Sequence, residues 1–229
     1  MEDPRLEKIR AAYERRRGTE FLYDPLLPAN LRMNMERARV QATLLREWLG
    51  PNPLSEMNIL EIGCGKGGNI LNLIALGARP DRIVVNELLE SHLDVARSCL
   101  PSAVRFHLGD GSRLPNSYGG FDLILQFLVF SSILDDSLLA SLASRMWSSL
   151  KPRGIILSYD FVVDNPSNPD VRGIPIRKLK SLFPEGRFTV KRLTVAPPLA
   201  RVINDKLYPL FALVPFLKTH CLCAIRKAE

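Results

Sequence analysis

Apolar positions in the first fifty residues recur at helical spacing, with one break. Residues 5–17 are a highly charged stretch that predicts a first helix, whereas residues 18–30 contain Pro25 and Pro28 and predict a loop. Residues 31–49 carry apolar side chains every three to four positions, which predicts a longer helix that ends at the Gly-Pro-Asn-Pro of residues 50–53. We expect residues 1–50 to form a helical lid ahead of a main domain over residues 51–229.

From residue 58 to residue 160 the pattern alternates between short apolar runs and amphipathic stretches. The apolar runs predict strands at 58–62, 82–86, 104–108, 121–126 and 155–160. The stretches between them predict helices at 67–76, 89–100 and 136–150. This alternation is typical of βαβ units with a parallel sheet, so the fold class is α/β.

After residue 160 the pattern changes. A polar loop, DNPSNPD, precedes a predicted helix at 174–183, and two alternating runs at 187–195 and 219–226 predict half-exposed strands. Residues 207–217 are unusually apolar. Two interpretations remain open for them: a lip that touches lipid or a membrane surface, and a core helix or lid interrupted by Pro209 and Pro215.

A glycine-rich turn follows the first predicted strand. Glu61 is followed by Gly63-Cys64-Gly65-Lys66-Gly67-Gly68 and then by a helix. Glycines allow a sharp turn and a close approach to a ligand, and the helix N-terminus offers unpaired N–H groups. The glycine spacing also satisfies the dinucleotide fingerprint, so NAD remains an alternative for the turn alone. Lys66 lacks the context of a phosphate-binding lysine and is interpreted as solvated.

Acidic residues around this turn favour S-adenosylmethionine (SAM) as the cofactor. The Glu61 carboxylate can reach a cationic methionyl end, whereas it would repel a pyrophosphate. Glu87 closes the second strand and can hold ribose hydroxyls, a feature shared with NAD proteins. Asp110 follows the third strand and can accept from an adenine amine. Arg37 or Arg39 is a candidate partner for the methionine carboxylate, the alternative being a solvated charge.

Taken in order, these motifs resemble the class I SAM-dependent methyltransferase family over residues 57–160. The resemblance rests on E-x-G-x-G-x-G, the acidic end of strand two, Asp110, FDLILQ and KPRG. It implies a Rossmann-like, doubly wound, seven-stranded sheet of order 3-2-1-4-5-7-6 with an antiparallel last strand. It also implies cofactor-binding roles for Glu61, Gly63, Gly65, Glu87, Leu88, Asp110, Gly111, Gln126 and Phe127.

Charge adds a preference for anionic partners. The formal net charge is +7, and residues 151–229 hold 14 basic and 6 acidic residues. A solvated charged face is the alternative to an anion-binding patch. Aromatic residues make up 7% of the chain and do not interleave with the basic run, which disfavours nucleic acid. The four cysteines fit no zinc template, so no metal is expected.

The expected location of the protein follows from two sequence features. No apolar run is long enough to span a membrane, and the charged N-terminus has no signal-peptide core. We therefore expect a cytoplasmic protein for which peripheral membrane contact is an open possibility.

The loop after the fifth strand holds the catalytic candidates. Asp160 or Asp170 could remove a proton from an acceptor hydroxyl, and Arg172 could grip a phosphate or carboxylate. A turn cluster shaped by local hydrogen bonds is the alternative. Among the three histidines none is expected to be the base, and His220 is expected to lie far from the site. The Gln126-Phe127-Leu128-Val129 at the end of strand four argues against methylation of adenine N6 or of a glutamine nitrogen.

The acceptor is predicted from a second resemblance. The sequences NPSNPDVRGI, LFP and APPLAR resemble methyltransferases associated with bacterial surface-polysaccharide assembly. This implies O-methylation of a sugar on a glycan acceptor, which could be phosphorylated, nucleotide-linked or lipid-linked. Two alternatives stay open: a small-molecule methyltransferase of natural-product or quinone type, and a non-catalytic SAM-binding subunit. The intact Glu61, Glu87 and Asp110 argue against the non-catalytic subunit.

Overall fold

Seven strands form a single sheet in the computed structural model, which describes residues 3–16, 18, 20–203 and 207–229. The strands are β1 Ile59–Ile62, β2 Ile83–Glu87, β3 Arg105–Leu108, β4 Phe121–Phe127, β5 Leu150–Phe161, β6 Arg187–Val195 and β7 Lys218–Arg226. Their order is β3-β2-β1-β4-β5-β7-β6, and β7 runs antiparallel to both of its neighbours. The predicted order and the antiparallel last strand are confirmed.

Helices cover both faces of this sheet. They are α1 Pro4–Arg15, α2 Pro28–Leu49, α3 Gly68–Ala75, α4 Glu90–Cys99, α5 Asp136–Ser149, α6 Ile176–Leu182, α7 Pro197–Val202 and α8 Tyr208–Phe211. Apolar side chains of α2, α3 and α4 pack in one core cluster, and those of α1, α5 and α6 pack in another. Successive side chains of a strand point to opposite faces of the sheet, so alternate residues of the central strands pack in the two clusters.

Two predicted boundaries shift for identifiable reasons. Helix α2 begins at Pro28 instead of residue 31, because proline is well tolerated in the first turn of a helix. Strand β5 begins at Leu150 instead of residue 155, because Leu150 already pairs with Phe121 and the register then shifts before Ile155. Arg17, at the end of the first predicted helix, lies outside the described residues.

The carboxyl ends of the central strands meet at one edge of the sheet. Ile62 is level with Gln126, and Gln126 with Ser158. Strand β7 runs the other way, so its beginning lies at this same edge, where His220 pairs with Phe161. The expectation that His220 lies far from the site is therefore wrong: it assumed a distance from the order along the chain, whereas strand direction decides the position.

Helix α2 is an integral part of the fold as well as a neighbour of the edge. Its Leu44 and Leu45 are buried in the same core cluster as Ile59 of β1 and Ile83 of β2. Within the described part of the chain, every helix is too short or too polar to cross a bilayer.

Candidate active site

The glycine turn after β1 leaves open space at the carboxyl edge of the sheet. Gly63 and Gly65 have φ values of 64° and 54°, in the left-handed region that favours glycine. An added Cβ at Gly63 would come within 2.4 Å of Val129 Cγ2, whereas one at Gly65 would meet nothing within 4 Å. Gly63 therefore packs against the loop after β4, and the backbone at Gly65 is open to a ligand.

Glu61 offers an unsatisfied carboxylate oxygen beneath this turn. Its side chain is fully buried, and Oε1 accepts a hydrogen bond of 2.7 Å from Asn69 Nδ2. Within the described residues, Oε2 is buried without a hydrogen-bond partner. Burial raises the pKa of Glu61 to about 8, and the nearby Arg37 opposes that rise. An unpaired buried carboxylate is costly, so this oxygen suits a cationic ligand group.

Glu87 ties the second strand to the glycine turn. Its Oε2 accepts from the backbone N–H of Gly65 at 2.7 Å, and its Oε1 accepts from the N–H groups of Leu88 and Leu89 at 2.8 and 3.0 Å. The carboxylate is thus fixed at the carboxyl end of β2. It retains acceptor capacity, since a carboxylate has about four lone-pair positions.

Asp110 and Gly111 follow β3 in a tight turn. Both carboxylate oxygens of Asp110 accept from Ser112, one from its N–H and one from its hydroxyl, each at 2.8 Å. Gly111 is buried, and an added Cβ there would come within 2.7 Å of Asn86 Oδ1. Asn86 in turn donates to the carbonyl of Gly109 at 2.8 Å. The sequence-predicted adenine end is therefore a rigid, closely packed turn.

A buried polar network joins β4, β5 and the loop after β4. Gln126 Nε2 donates to Ser158 Oγ and, at 2.8 Å, to Asp160 Oδ2. The N–H of Ser131 donates to Asp160 Oδ1 at 3.2 Å. Burial raises the pKa of Asp160 to about 7, and these hydrogen bonds limit the rise. Gln126 uses its polar atoms inside the protein, so it positions Asp160 and the loop.

An aromatic and cationic cluster lies on the other face of the same edge. The guanidinium of Arg37 is 5.4 Å from the ring centroid of Phe127 and 5.3 Å from that of Tyr159. His220 stacks on Tyr159 with the ring centroids 5.2 Å apart. Burial lowers the pKa of His220 to about 4, and Arg37 contributes, so the ring is neutral near pH 7. Arg37 also donates to Asn69 Oδ1 at 3.3 Å.

These residues fit a cofactor with a cationic end and a nucleoside. The unpaired Glu61 oxygen, the open backbone at Gly65 and the carboxylate of Glu87 line one continuous sheet edge, with Asp110 at the end of the neighbouring strand. Comparison with known families then decides the assignment. Residues 59–154 match the model of a methyltransferase domain, which uses SAM as its methyl donor.

This match over residues 59–154 supports a SAM-dependent methyltransferase. Its fold also matches solved methyltransferases. The plantazolicin methyltransferase BpumL, in complex with a triazolic desmethylPZN analog and SAH, has a TM-score of 0.65 at 14% identity, covering 99% of this chain and 98% of that one. The 1,6-didemethyltoxoflavin-N1-methyltransferase of Burkholderia thailandensis has a TM-score of 0.63 at 18% identity, covering 98% and 88%.

A third solved structure is also similar in fold. The N-methyltransferase NodS of Bradyrhizobium japonicum, crystallised with S-adenosyl-L-homocysteine, has a TM-score of 0.62 at 16% identity, covering 90% of this chain and 91% of that one. At such identities the likeness shows the fold alone. A search of the curated proteins found no match.

In this methyltransferase, helix α1 lies across the carboxyl edge of the sheet. Tyr13 packs edge-on against His92 of α4 with the ring centroids 5.7 Å apart, and it hydrogen-bonds to Ser132. Burial raises the pKa of Tyr13, and the charges of Glu87 and Asp160 add to that rise. Tyr13 therefore lies near both Glu87 and Asp160. The sequence analysis missed it, since a tyrosine in a charged helix carries no distinguishing signal.

The other two catalytic candidates bind neighbouring elements. Asp170 forms an ion pair with Arg15 of α1, which lowers the pKa of Asp170, and its carbonyl accepts from Arg16 at 3.2 Å. Arg172 forms an ion pair with Asp136 at the start of α5.

The structure therefore does not bring the three predicted catalytic residues to one point. Asp160 is buried at the carboxyl end of β5, whereas Asp170 forms its ion pair with Arg15 of α1. Arg172 lines a surface cleft of about 490 Å³ together with Arg177 and Lys178.

Proposed function

We propose that this methyltransferase transfers the methyl group to a hydroxyl oxygen of a small-molecule or glycan acceptor, with Asp160 as the general base. The observation that carries the proposal is the position of Asp160: a buried carboxyl with a pKa of about 7 at the end of β5, beside the cofactor edge. A base is most effective when its pKa lies near the working pH. Asp160 meets that condition, and Asp170, with its lowered pKa, does not.

In the proposed reaction the protein aligns the acceptor and receives its proton. SAM supplies an electrophilic methyl group when bound. Asp160 accepts the hydroxyl proton, which leaves the acceptor oxygen with the electron pair that forms the new bond to the methyl carbon. The electrons of the broken carbon–sulfur bond stay on sulfur, and Asp160 later returns the proton to water. Gln126 and the N–H of Ser131 hold the carboxylate in place through this cycle.

A sugar acceptor with an anionic group is supported by the charge around this loop. The cleft lies in the segment after β5 and is lined by Arg172, Arg177 and Lys178, of which Arg172 and Lys178 pair with Asp136. The N–H of Arg172 donates to the carbonyl of Ser131 at 2.9 Å. Guanidinium groups suit phosphate and carboxylate recognition. A phosphorylated or nucleotide-linked glycan therefore fits this side of the site.

An aromatic small molecule is a second candidate, favoured by a different observation. Phe127, Tyr159 and His220 place three rings at the other face of the same edge, with Arg37 over two of them. Rings and a guanidinium provide stacking surfaces for a planar acceptor.

Helix α1 is proposed to act as the lid of this site. Its contacts come from separate parts of the edge: Tyr13 on His92, Arg15 on Asp170, and Arg5 on Ser137 at 2.6 Å. The exposed ion pair between Arg15 and Asp170 costs little to release, because surface pairs contribute only about 0–1 kcal/mol each. The buried side chains of Leu6 and Ala12 hold α1 in the closed position, in which the helix excludes water during transfer.

The proposal is tested with labelled SAM and two acceptor panels, phosphorylated sugars and free phenols. We expect methyl transfer to the sugars and a fall of about 100-fold or more in kcat for Asp160→Asn, with a normal SAM affinity. Asp122→Asn, at the opposite end of β4, is the matched control and should keep its kcat. Transfer only to phenols would favour the aromatic candidate, and full activity of Asp160→Asn would overturn the assignment of the base.

A further inference from the structure

Exposed apolar side chains are concentrated in two segments that are distant in sequence. Within the described part of the chain, 19 large apolar side chains are exposed, and 11 of them lie in residues 21–35 and 202–216. These eleven are termed the apolar lip: Phe21, Tyr23, Leu26, Leu27, Leu31, Met35, Val202, Leu207, Leu210, Leu213 and Phe216. Single exposed apolar residues are ordinary, but a concentration of this kind marks an interaction surface.

The two segments form one surface because they are joined to each other. Arg201 Nη2 donates to the carbonyl of Leu22 at 2.9 Å, and the hydroxyl of Tyr208 donates to Glu36 Oε2 at 3.1 Å. Beneath them a small separate core brings Met33 of α2 against Tyr208 of α8. The inner sides of both segments are thus buried against each other, and their outer apolar sides remain uncovered.

The side chains of the apolar lip are too exposed to solvent to be part of a hydrophobic core. Leu26 is 84% exposed, Phe216 80% and Leu213 77%. Helices α7 and α8, of six and four residues, each have proline in the first turn, so this part of the lip is a series of short turns. Such turns present bulky side chains outwards without a helix long enough to span a bilayer.

Charge identifies the partner. Residues 191–218, which include the second half of the lip, contain five Lys or Arg and one acidic residue. Lys191 and Arg192 are exposed on β6, which leads directly into α7. Bulky apolar side chains with basic residues beside them are the combination that binds an interface of lipid headgroups. We propose that the apolar lip docks this methyltransferase on the surface of an anionic phospholipid bilayer.

Hydrogen bonds connect the segment of the lip to the aromatic and cationic cluster of the candidate active site. Tyr208 of the lip segment and the N–H of Thr194 both donate to Glu36 Oε2, each at 3.1 Å. The Thr194 hydroxyl is 2.9 Å from the hydroxyl of Tyr159. Docking would therefore hold the acceptor side of the site close to the membrane surface, where an acceptor carrying a lipid could reach it. The docking itself does not depend on which acceptor is used.

The test is co-sedimentation of the full chain with vesicles of pure phosphatidylcholine and with vesicles that also contain phosphatidylglycerol. We expect binding to the anionic vesicles that weakens at high salt, and much weaker binding to the neutral ones. Leu213→Ser combined with Phe216→Ser should lower the partition coefficient at least about 30-fold, since each side chain contributes apolar burial. Leu76→Ser combined with Val95→Ser removes two exposed apolar side chains elsewhere and should bind as the wild type does.

Two measurements keep the result interpretable. SAM affinity reports folding, and both double variants should retain it, because neither pair touches the cofactor edge. Light scattering measures the molar mass and therefore shows whether a second copy of this chain covers the lip instead. A dimer that the lip substitutions convert to a monomer, equal loss of vesicle binding in both double variants, or no sedimentation with anionic vesicles would each overturn the proposal.

Discussion

The unpaired oxygen of Glu61 predicts that SAM binding depends on pH with a definite sign. In the ligand-free protein the pKa of Glu61 is about 8, so the carboxyl is protonated below that pH. A cationic methionyl end placed against Oε2 favours the ionised form, so binding releases a proton. SAM affinity should therefore rise as the pH rises towards 8.

The magnitude follows from the release of one proton. Affinity changes tenfold for each pH unit as long as the free carboxyl is protonated and the bound one is ionised. Between about pH 6 and about pH 7.5 the dissociation constant should fall roughly 30-fold, which is about 2 kcal/mol. Above that range the gain ends, because the carboxyl of the free protein ionises and the amino group of SAM begins to lose its own proton.

Calorimetry in buffers of different ionisation enthalpy measures both the affinity and the proton released. Glu61→Gln, which keeps the shape of the side chain, should bind SAM weakly and with little dependence on pH. Adenosine lacks the cationic end and is the matched control ligand. A SAM affinity that stays constant across this pH range, or an equal slope for adenosine, would refute the assigned role of Glu61.

Two other predictions concern the glycine turn and α1. Gly63→Ala should lower the free energy of unfolding by roughly 2–5 kcal/mol, because it adds left-handed strain and a 2.4 Å contact with Val129. Gly65→Ala should lower it by only about 1–2 kcal/mol, from the strain alone, yet weaken SAM binding. Urea unfolding measures both losses, and equal losses would contradict this difference. Arg15→Ala should leave SAM affinity within about twofold while increasing hydrogen exchange across α1, and unchanged exchange would argue against a lid held by Asp170.

The candidate site residues that the sequence predicts are those with a local signal in the chain. The glycine turn, Glu61 and Glu87 each lie at the end of an apolar run, so a strand and the polar residue that ends it can be recognised together. The parallel sheet then brings these ends to one edge, and the strand order followed from the family resemblance. For this reason the residues proposed for the cofactor side could be placed at their strand ends from the sequence.

The acceptor side could not be predicted in the same way, because it depends on tertiary direction. His220 reaches the site only because β7 is antiparallel, and Tyr159 faces it only through the register of β5 with β7. Tyr13 comes from a helix whose position over the edge no local pattern encodes, and the sequence offers Arg37 only as one of two candidates, with Arg39. Asp170 looked like a base from its place in a polar loop, but its ion pair with Arg15 is a contact between residues 155 positions apart.

A crystal structure with S-adenosylhomocysteine tests the central claim most directly. We predict one molecule at the carboxyl edge, with its amino group on Glu61, its backbone contacts at Gly65, its ribose hydroxyls on Glu87 and its adenine beside Asp110. Density for the ligand at another place, or none at saturating concentration, would contradict the assignment of this edge as the methyl-donor site.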